Sequence, residues 1–219
     1  MDILIAEDDL ISRRLLEAHL VKWGHEVLAC KDGQEAWEIL QHSGAPSLLI
    51  LDWMMPGLDG VELCRMVRGL PHGELAYIIL LTAKAEKSDV IHGLEAGAND
   101  YVTKPFDAEE LQARTRVGQR VIQLQDRLME AERNRVLTQA AGAAAHEINQ
   151  PLTVLMGTTE LLLYELPPDA DQRENLEMLH QSAERISEIV RKMGTIRQYV
   201  TKPYLEGIDI IDFDAAQAE

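Results

Sequence analysis

The sequence predicts an α/β doubly wound, five-stranded parallel sheet in its first half and an all-α helical hairpin in its second half. Up to about residue 120, short apolar runs alternate with amphipathic segments, as is typical of βαβ units. Beyond that point, apolar residues recur every three or four positions, and strand-like sequence returns only in the tail. We therefore divide the chain into an α/β domain (1–120), a coiled-coil linker helix (121–140), a helical hairpin (141–200) and a short strand-like tail (201–219).

The first half contains five strand-like segments separated by helix-like segments of about 10–15 residues. In chain order they read DILIAE, HEVLAC, SLLILD, AYIILLT and DYVTKP. Each is short and nearly continuous in apolar residues, as expected for strands that are covered on both faces. Asp9 follows the first of them, at a place where an acidic side chain often caps the next helix.

The second half shows the heptad spacing of helices that pack lengthwise. A first series of apolar positions is Val117, Val121, Leu124, Leu128 and Ala131. After a break in phase around 133–135, the series continues through Ala141, Ala145, Ile148, Leu152, Leu155, Thr159 and Leu162. The segment LPPDADQ ends this helix, because paired prolines cannot continue it. A second helix is predicted from Leu179, Ala183, Ile186, Val190 and Met193.

A single helical hairpin buries its apolar stripe poorly. Two hairpins paired across a twofold axis form a four-helix bundle, so the sequence predicts a homodimer. The alternative is a hairpin that packs against the α/β domain of its own chain.

Composition narrows the classes of partner. The net charge of −16 is divided evenly between the two halves, which argues against nucleic acid as a partner because phosphate contacts need clustered lysine and arginine. The longest apolar runs are far too short to span a bilayer, so no membrane is expected. Cys30 and Cys64 form neither a metal-ligand spacing nor a disulfide framework. These features predict a cytoplasmic protein.

Polar side chains stand at the carboxyl ends of four predicted strands, where α/β sheets bind ligands. Glu7 and Asp8 follow the first strand, and Asp52 ends the third. Three clustered carboxylates repel one another unless a cation intervenes, which predicts a Mg²⁺ site. Mg²⁺ would help Asp52 to act as a nucleophile toward phosphorus. Thr82 and Lys104, at the ends of the fourth and fifth strands, are suited to bind phosphoryl oxygens.

Residues 1–120 resemble the receiver domain of response regulators, a flavodoxin-like fold. The segments that match are LIAEDD, LILDWMMPGLDG, ILLTAK and DYVTKPF. The resemblance implies that Asp52 accepts a phosphoryl group from a phosphohistidine donor. It also implies that Glu7 and Asp8 form the acidic pair and that Asp8, Asp52 and the carbonyl of Met54 bind Mg²⁺.

The same resemblance implies a switch formed by Thr82 and Tyr101. The ring of Tyr101 would turn inward as the Thr82 hydroxyl engages the phosphoryl group. A plain sheet-edge aromatic residue is the alternative for Tyr101. Met54 and Lys84 would flank the mouth of the pocket.

The segment HEINQPL, at 146–152, resembles the H-box of the dimerisation and histidine-phosphotransfer domain of sensor histidine kinases. The resemblance covers roughly residues 135–200 and implies His146 as phosphoacceptor, with Glu147 as its acid/base partner. Gln150 stands where this family often has threonine or asparagine, a position that orients water for hydrolysis of a phosphoaspartate. Pro151 removes one backbone hydrogen bond and is expected to bend the helix just after His146.

Only 19 residues follow Val200, and they contain no glycine-rich phosphate loop, so we expect no ATP-binding lobe in this sequence. Four functions remain open. The first is a phosphorelay in which Asp52 and His146 exchange phosphoryl groups with each other, a sensor kinase or a partner receiver. The others are a phosphatase of a partner receiver, a non-enzymatic dimeric switch, and a truncated hybrid histidine kinase.

Overall fold

The computed structural model describes residues 1–42, 44–83, 87–195, 201–205 and 208–211. The chain divides into two compact units, Met1–Arg127 and Leu128–Glu219. Among the described residues, no helix has the length and apolar character needed to cross a membrane.

The first unit is built on a five-stranded parallel sheet with the order β2-β1-β3-β4-β5, which confirms the predicted α/β fold. Its strands are β1 Asp2–Ala6, β2 Glu26–Cys30, β3 Leu48–Asp52, β4 Tyr77–Thr82 and β5 Asp100–Thr103. Helices α1 Leu10–Lys22, α2 Gly33–Leu40, α3 Gly60–Arg68 and α4 Lys87–Glu95 connect them, and a 3₁₀ turn, Gly73–Leu75, precedes β4.

The core of the first unit lies on both faces of the sheet. One apolar cluster contains Leu4, Leu49 and Leu80, and the other contains Ile5, Ile50 and Ile79, all fully buried. These sets alternate along β1, β3 and β4, because successive side chains of a strand point to opposite faces. The central strands therefore have no polar face, as their continuous apolar sequence predicted.

Helix α5, Ala108–Glu165, contributes to both units. Near its start, Gly118 lies against the sheet, where a Cβ atom would stand 2.6 Å from Tyr77 Cδ1 and 2.7 Å from Leu48 Cδ1. The helix continues without interruption through positions 133–135, where the heptad phase breaks, and through Pro151.

The second unit contains the predicted helical hairpin, formed by the later part of α5 and by α6, Arg173–Gly194. Arg173 closes its turn by donating hydrogen bonds from Nη1 to the carbonyl oxygens of Leu163 and Leu166, each at 3.1 Å. The tail contains two antiparallel strands, β6 Thr201–Leu205 and β7 Ile208–Ile211.

Candidate functional site

The carboxylates of Glu7, Asp8 and Asp52 meet at the carboxyl edge of the sheet, with ligand oxygens that all lie within 4.8 Å of one another. Parallel pairing of β1 with β3 places the ends of these strands side by side. Glu7 and Asp52 are buried, with 1% and 5% of their surface exposed, whereas Asp8 is exposed. The sequence prediction that these residues converge therefore agrees with the geometry.

Lys104 enters this cluster from the end of β5. Its Nζ atom lies 2.6 Å from Glu7 Oε2 and 2.9 Å from Asp52 Oδ1. Burial would by itself lower the pKa of Lys104, but the two carboxylates raise that pKa above its ordinary value of 10.5. Lys104 is therefore a fixed positive charge beside the oxygen of Asp52.

Glu7 is the most deeply buried of the three acids. Burial raises the pKa of Glu7 above its ordinary value of 4.5, and this outweighs the lowering effect of its hydrogen bond from Lys104. Its second oxygen, Oε1, is buried without a hydrogen-bond partner among the described residues. A buried carboxylate oxygen without a partner, beside two other carboxylates, fits an oxygen-liganded divalent cation such as Mg²⁺.

Asp9 lies outside the carboxylate cluster and caps α1. Its Oδ1 accepts a hydrogen bond of 2.8 Å from the backbone N–H of Ser12, which lowers the pKa of Asp9. The capping role expected from the sequence is therefore confirmed.

Thr82 and Tyr101, which the sequence resemblance predicts to form a switch pair, lie on the neighbouring strands β4 and β5. Thr82 is buried at the end of β4, and its carbonyl oxygen accepts a hydrogen bond of 2.7 Å from the backbone N–H of Lys104. Tyr101 is half-buried on β5, where it pairs with Leu80.

The mouth of the site is a cleft of about 510 Å³ that Asp8, Met54 and Asp59 help to line. Met54 is 61% exposed there. Gly60 allows α3 to begin against the end of β3, since a Cβ atom at this position would lie 2.1 Å from the carbonyl oxygen of Asp52. Lys84, expected to flank the mouth, falls outside the described residues.

His146 lies on the surface of α5 beside the hairpin seam. The neighbouring Ala145 is 5% exposed, whereas His146 and Glu147 are both exposed. The Nε2 atom of His146 lies 3.3 Å from Nε2 of Gln150, one helical turn further on. Glu147 makes no hydrogen bond to the imidazole among the described contacts, because adjacent residues of a helix point in different directions.

Two heptad columns of the hairpin have different surroundings. One column, at Ala145, Leu152 and Thr159, is buried. The other, at Ile148, Leu155 and Leu162, remains 39–45% exposed. Helix α6 repeats this division, with Ala183 and Val190 buried while Leu179 and Ile186 are 56% and 47% exposed.

Arg13 and Thr159 make polar contacts that were not anticipated from the sequence. Arg13 donates hydrogen bonds from Nη1 to the carbonyl oxygens of Glu7, at 2.6 Å, and of Asp8, at 3.2 Å. In the hairpin seam, Thr159 Oγ1 lies 2.8 Å from Nδ1 of His180. The sequence feature that could have indicated the Arg13 contact is its position one turn into the helix that follows the acidic pair.

Comparisons with known proteins agree with this geometry. The family model of the response regulator receiver domain matches residues 3–116, and that of the His Kinase A (phospho-acceptor) domain matches residues 136–196. The phosphate regulon transcriptional regulatory protein PhoB of Rhizobium meliloti is 46% identical over 114 residues, which cover 52% of this chain and 50% of that protein. The transcriptional regulatory protein AfsQ1 of Streptomyces coelicolor is 42% identical over the same length, with 49% of that protein covered. The chain thus spans about half the length of these curated relatives.

Solved structures are similar in the receiver region. A protein described as a response regulator from Chloroflexus aurantiacus superimposes with a TM-score of 0.51 and 38% identity, covering 55% of this chain and 96% of that one. The receiver domain of Francisella response regulator 1452 gives a TM-score of 0.50 and 28% identity, covering 57% and 98%. The chain belongs to the response regulator receiver family and carries a His Kinase A (phospho-acceptor) domain after its receiver.

Proposed function

We propose that this protein is a phosphorelay component in which the receiver is phosphorylated on Asp52 with Mg²⁺ and exchanges phosphoryl groups with His146 or with partner proteins. A receiver joined to a His Kinase A domain indicates two-component signalling. The observation that carries the finer proposal is the group of three carboxylate side chains within 4.8 Å, with Lys104 Nζ 2.9 Å from Asp52 Oδ1.

The chemistry follows from the charges of the site. A carboxylate oxygen of Asp52 attacks phosphorus, a new P–O bond forms, and the P–N bond of a phosphohistidine donor breaks. The released imidazole nitrogen keeps the electron pair and takes a proton from solvent. Lys104 stabilises the negative charge that remains on the phosphoryl oxygens, because an ammonium group is already fixed at this point.

Mg²⁺ binding is part of the proposal. Asp8, Asp52 and the carbonyl oxygen of Met54 would hold the ion, with Glu7 beside them. When bound, Mg²⁺ supplies positive charge between the carboxylates and the incoming phosphoryl oxygens. The Oε1 atom of Glu7, buried with no hydrogen-bond partner among the residues that the structure describes, supports this assignment.

The response to phosphorylation would pass through Thr82 and Tyr101. The Thr82 hydroxyl, at the end of β4, would donate to a phosphoryl oxygen, and the half-buried ring of Tyr101 would then turn inward. Their placement on adjacent strands, at 1% exposure for Thr82, supports this coupling.

His146 is the proposed phosphoacceptor of the hairpin. Its exposure on the side of α5 leaves the imidazole open to a docking receiver. Glu147, next in sequence, is the proposed acid/base partner in the phosphotransfer complex. A second function, phosphatase activity toward a receiver, is favoured by the amide of Gln150, which stands 3.3 Å from the same ring and is able to orient water.

Dimerisation would bury the apolar surface that the hairpin leaves exposed. The heptad column at Ile148, Leu155 and Leu162 stays 39–45% exposed, and a second copy with the same column would bury it in a four-helix bundle. The linker segment 121–140 would continue the pairing as a coiled coil. Sensor kinases and partner receivers are the other proposed partners.

One experiment tests the relay. The full chain is incubated with labelled acetyl phosphate and Mg²⁺, and alkali-labile acyl phosphate is measured separately from alkali-stable phosphohistidine. We expect Asp52→Ala to abolish both signals, because acetyl phosphate loads the aspartate first, and His146→Ala to abolish only phosphohistidine. Asp126→Ala and His42→Ala, which alter exposed residues of the same types, serve as controls.

The outcomes separate the candidate functions. Phosphohistidine that forms without Asp52 would contradict the transfer from Asp52 to His146. Acyl phosphate without phosphohistidine, from acetyl phosphate or from a partner kinase, would favour a dimeric switch. Acyl phosphate that decays faster in the wild type than in Gln150→Ala would indicate phosphatase activity.

A further inference from the structure

Among the residues that the structure describes, Arg13 is the cation whose side chain contacts the main chain of the acidic loop between β1 and α1. Its Nη1 atom donates to the carbonyl oxygen of Glu7 at 2.6 Å and to that of Asp8 at 3.2 Å. The residue is half-buried, and its own backbone N–H donates to Asp9 at 2.9 Å in the first turn of α1. Among the described residues Arg13 therefore ties the start of α1 back to the two residues that carry the acidic pair.

The side chain of Arg13 bonds to the backbone of the loop and not to the carboxylates. In the described parts of the chain, Arg13 forms no ion pair with Glu7, Asp8 or Asp52, whereas Lys104 pairs directly with two of them. The two cations thus have different tasks. Lys104 neutralises charge inside the site, and Arg13 bonds to main-chain oxygens on the loop.

The loop needs such a restraint because its side chains repel one another. Three carboxylates within 4.8 Å favour any movement that carries the loop of Glu7 and Asp8 away from Asp52. Hydrogen bonds from a guanidinium are charge-assisted and therefore stronger than those between neutral groups. Fixing the carbonyl oxygens of Glu7 and Asp8 fixes their peptide planes, and with them the directions in which the two side chains leave the backbone.

We propose that Arg13 is a positioning residue that holds the carboxylates of Glu7 and Asp8 in the arrangement that binds Mg²⁺. The proposal rests on the Mg²⁺ site described under the proposed function. A residue that orients metal ligands without touching the metal changes affinity for the metal while the ligands themselves remain in place.

The test compares Arg13→Gln with Arg14→Gln in the full chain. Both changes remove one positive charge from the same turn of α1, but Arg14 is exposed and makes no hydrogen bond among the described contacts. Mg²⁺ affinity is measured by calorimetric titration, and the thermal unfolding midpoint is measured in EDTA. We expect Arg13→Gln to weaken Mg²⁺ binding about tenfold and Arg14→Gln to leave it near the wild-type value.

Two further measurements separate positioning from general stability. The rate of labelling by acetyl phosphate should fall in Arg13→Gln at low Mg²⁺ and recover at saturating Mg²⁺, which a distorted fold would not do. Arg13→Lys retains a donor and should recover part of the affinity. If Arg13→Gln does not fold, Arg13→Met, which keeps the aliphatic stem, replaces it and is expected to show the same loss.

Each outcome decides a separate point. Mg²⁺ affinity in the Arg13 variants equal to that of Arg14→Gln would overturn the positioning role while leaving the Mg²⁺ site intact. A wild-type chain that binds no Mg²⁺ would overturn the metal site itself, and with it both proposals. A lower unfolding midpoint in EDTA with unchanged Mg²⁺ affinity would show that Arg13 supports only the fold.

Discussion

The receiver and the hairpin bury their apolar residues to very different degrees. Every residue of β3 and β4 is buried, and Leu49, Ile50 and Ile79 are fully so. In the hairpin, Leu155 and Ile186 stand in the same heptad pattern as buried neighbours yet remain 45% and 47% exposed. The receiver therefore buries its core within one chain, whereas one heptad column of the described hairpin stays partly exposed.

This difference separates two sources of stability. Burial of a whole apolar side chain stabilises the receiver regardless of protein concentration. If a second copy covers the exposed column, as proposed, the hairpin gains further burial, and its stability should then depend on concentration. Changes in the two regions should consequently be seen in different measurements.

The largest expected effect lies in the receiver core. Ile50→Ala removes a fully buried side chain from the centre of the sheet and should reduce the free energy of unfolding by roughly 2–5 kcal/mol. The three tryptophans, Trp23, Trp37 and Trp53, all belong to the receiver, so fluorescence during urea unfolding reports this unit.

The corresponding truncation in the hairpin, to be compared with Ile50→Ala, is Leu161→Ala. Leu161 is 57% exposed and lies outside both heptad columns, so its truncation should change the unfolding free energy by less than about 0.5 kcal/mol. Equal losses at position 50, followed by fluorescence, and at position 161, followed by helical circular dichroism, would contradict the difference in burial between the two positions.

A second expected effect concerns self-association. Leu155→Asp places a charge in the exposed heptad column and should convert the proposed dimer to a monomer, because burying an unpaired carboxylate is strongly unfavourable. Val154→Asp adds the same charge one position away, at a residue that is 69% exposed and outside the columns, and should leave the dimer intact. Light scattering at micromolar concentration measures both. A wild-type monomer would remove the proposed four-helix bundle.

The sequence predicted the features that depend on local pattern. Continuous apolar strands predicted the parallel sheet, and polar residues at strand ends predicted the meeting of Glu7, Asp52 and Lys104, because parallel strands bring their carboxyl ends to one edge. The heptad spacing predicted the hairpin helices. It did not distinguish the buried column from the exposed one, since both contain apolar residues at equivalent spacing.

The contacts that escaped prediction depend on tertiary geometry. Arg13 reaches back across the β1–α1 loop to two carbonyl oxygens, and nothing in its side chain specifies main-chain acceptors rather than solvent. Thr159 is buried at an apolar heptad position, where its hydroxyl donates to backbone carbonyl oxygens one turn earlier in α5 and lies 2.8 Å from Nδ1 of His180 on α6. Pairings of this kind follow from how helices and loops are placed in space, which local sequence does not determine.

The last expected effect vanishes near neutral pH and uses the two cysteines, which both belong to the receiver. Burial raises the pKa of Cys30 to about 12 and that of Cys64 to about 11, from an ordinary value of 9.0. Because the folded state holds these protons more tightly, the free energy of unfolding should be unaffected below about pH 9 and should fall as the pH rises beyond it.

Alkylation needs the thiolate, so at pH 8 both thiols should resist iodoacetamide until the receiver unfolds. Ile50→Ala should then speed labelling strongly and Leu161→Ala should not, as measured by mass spectrometry. Rapid labelling of the wild type at pH 8 would show instead that the receiver core opens readily in the native state.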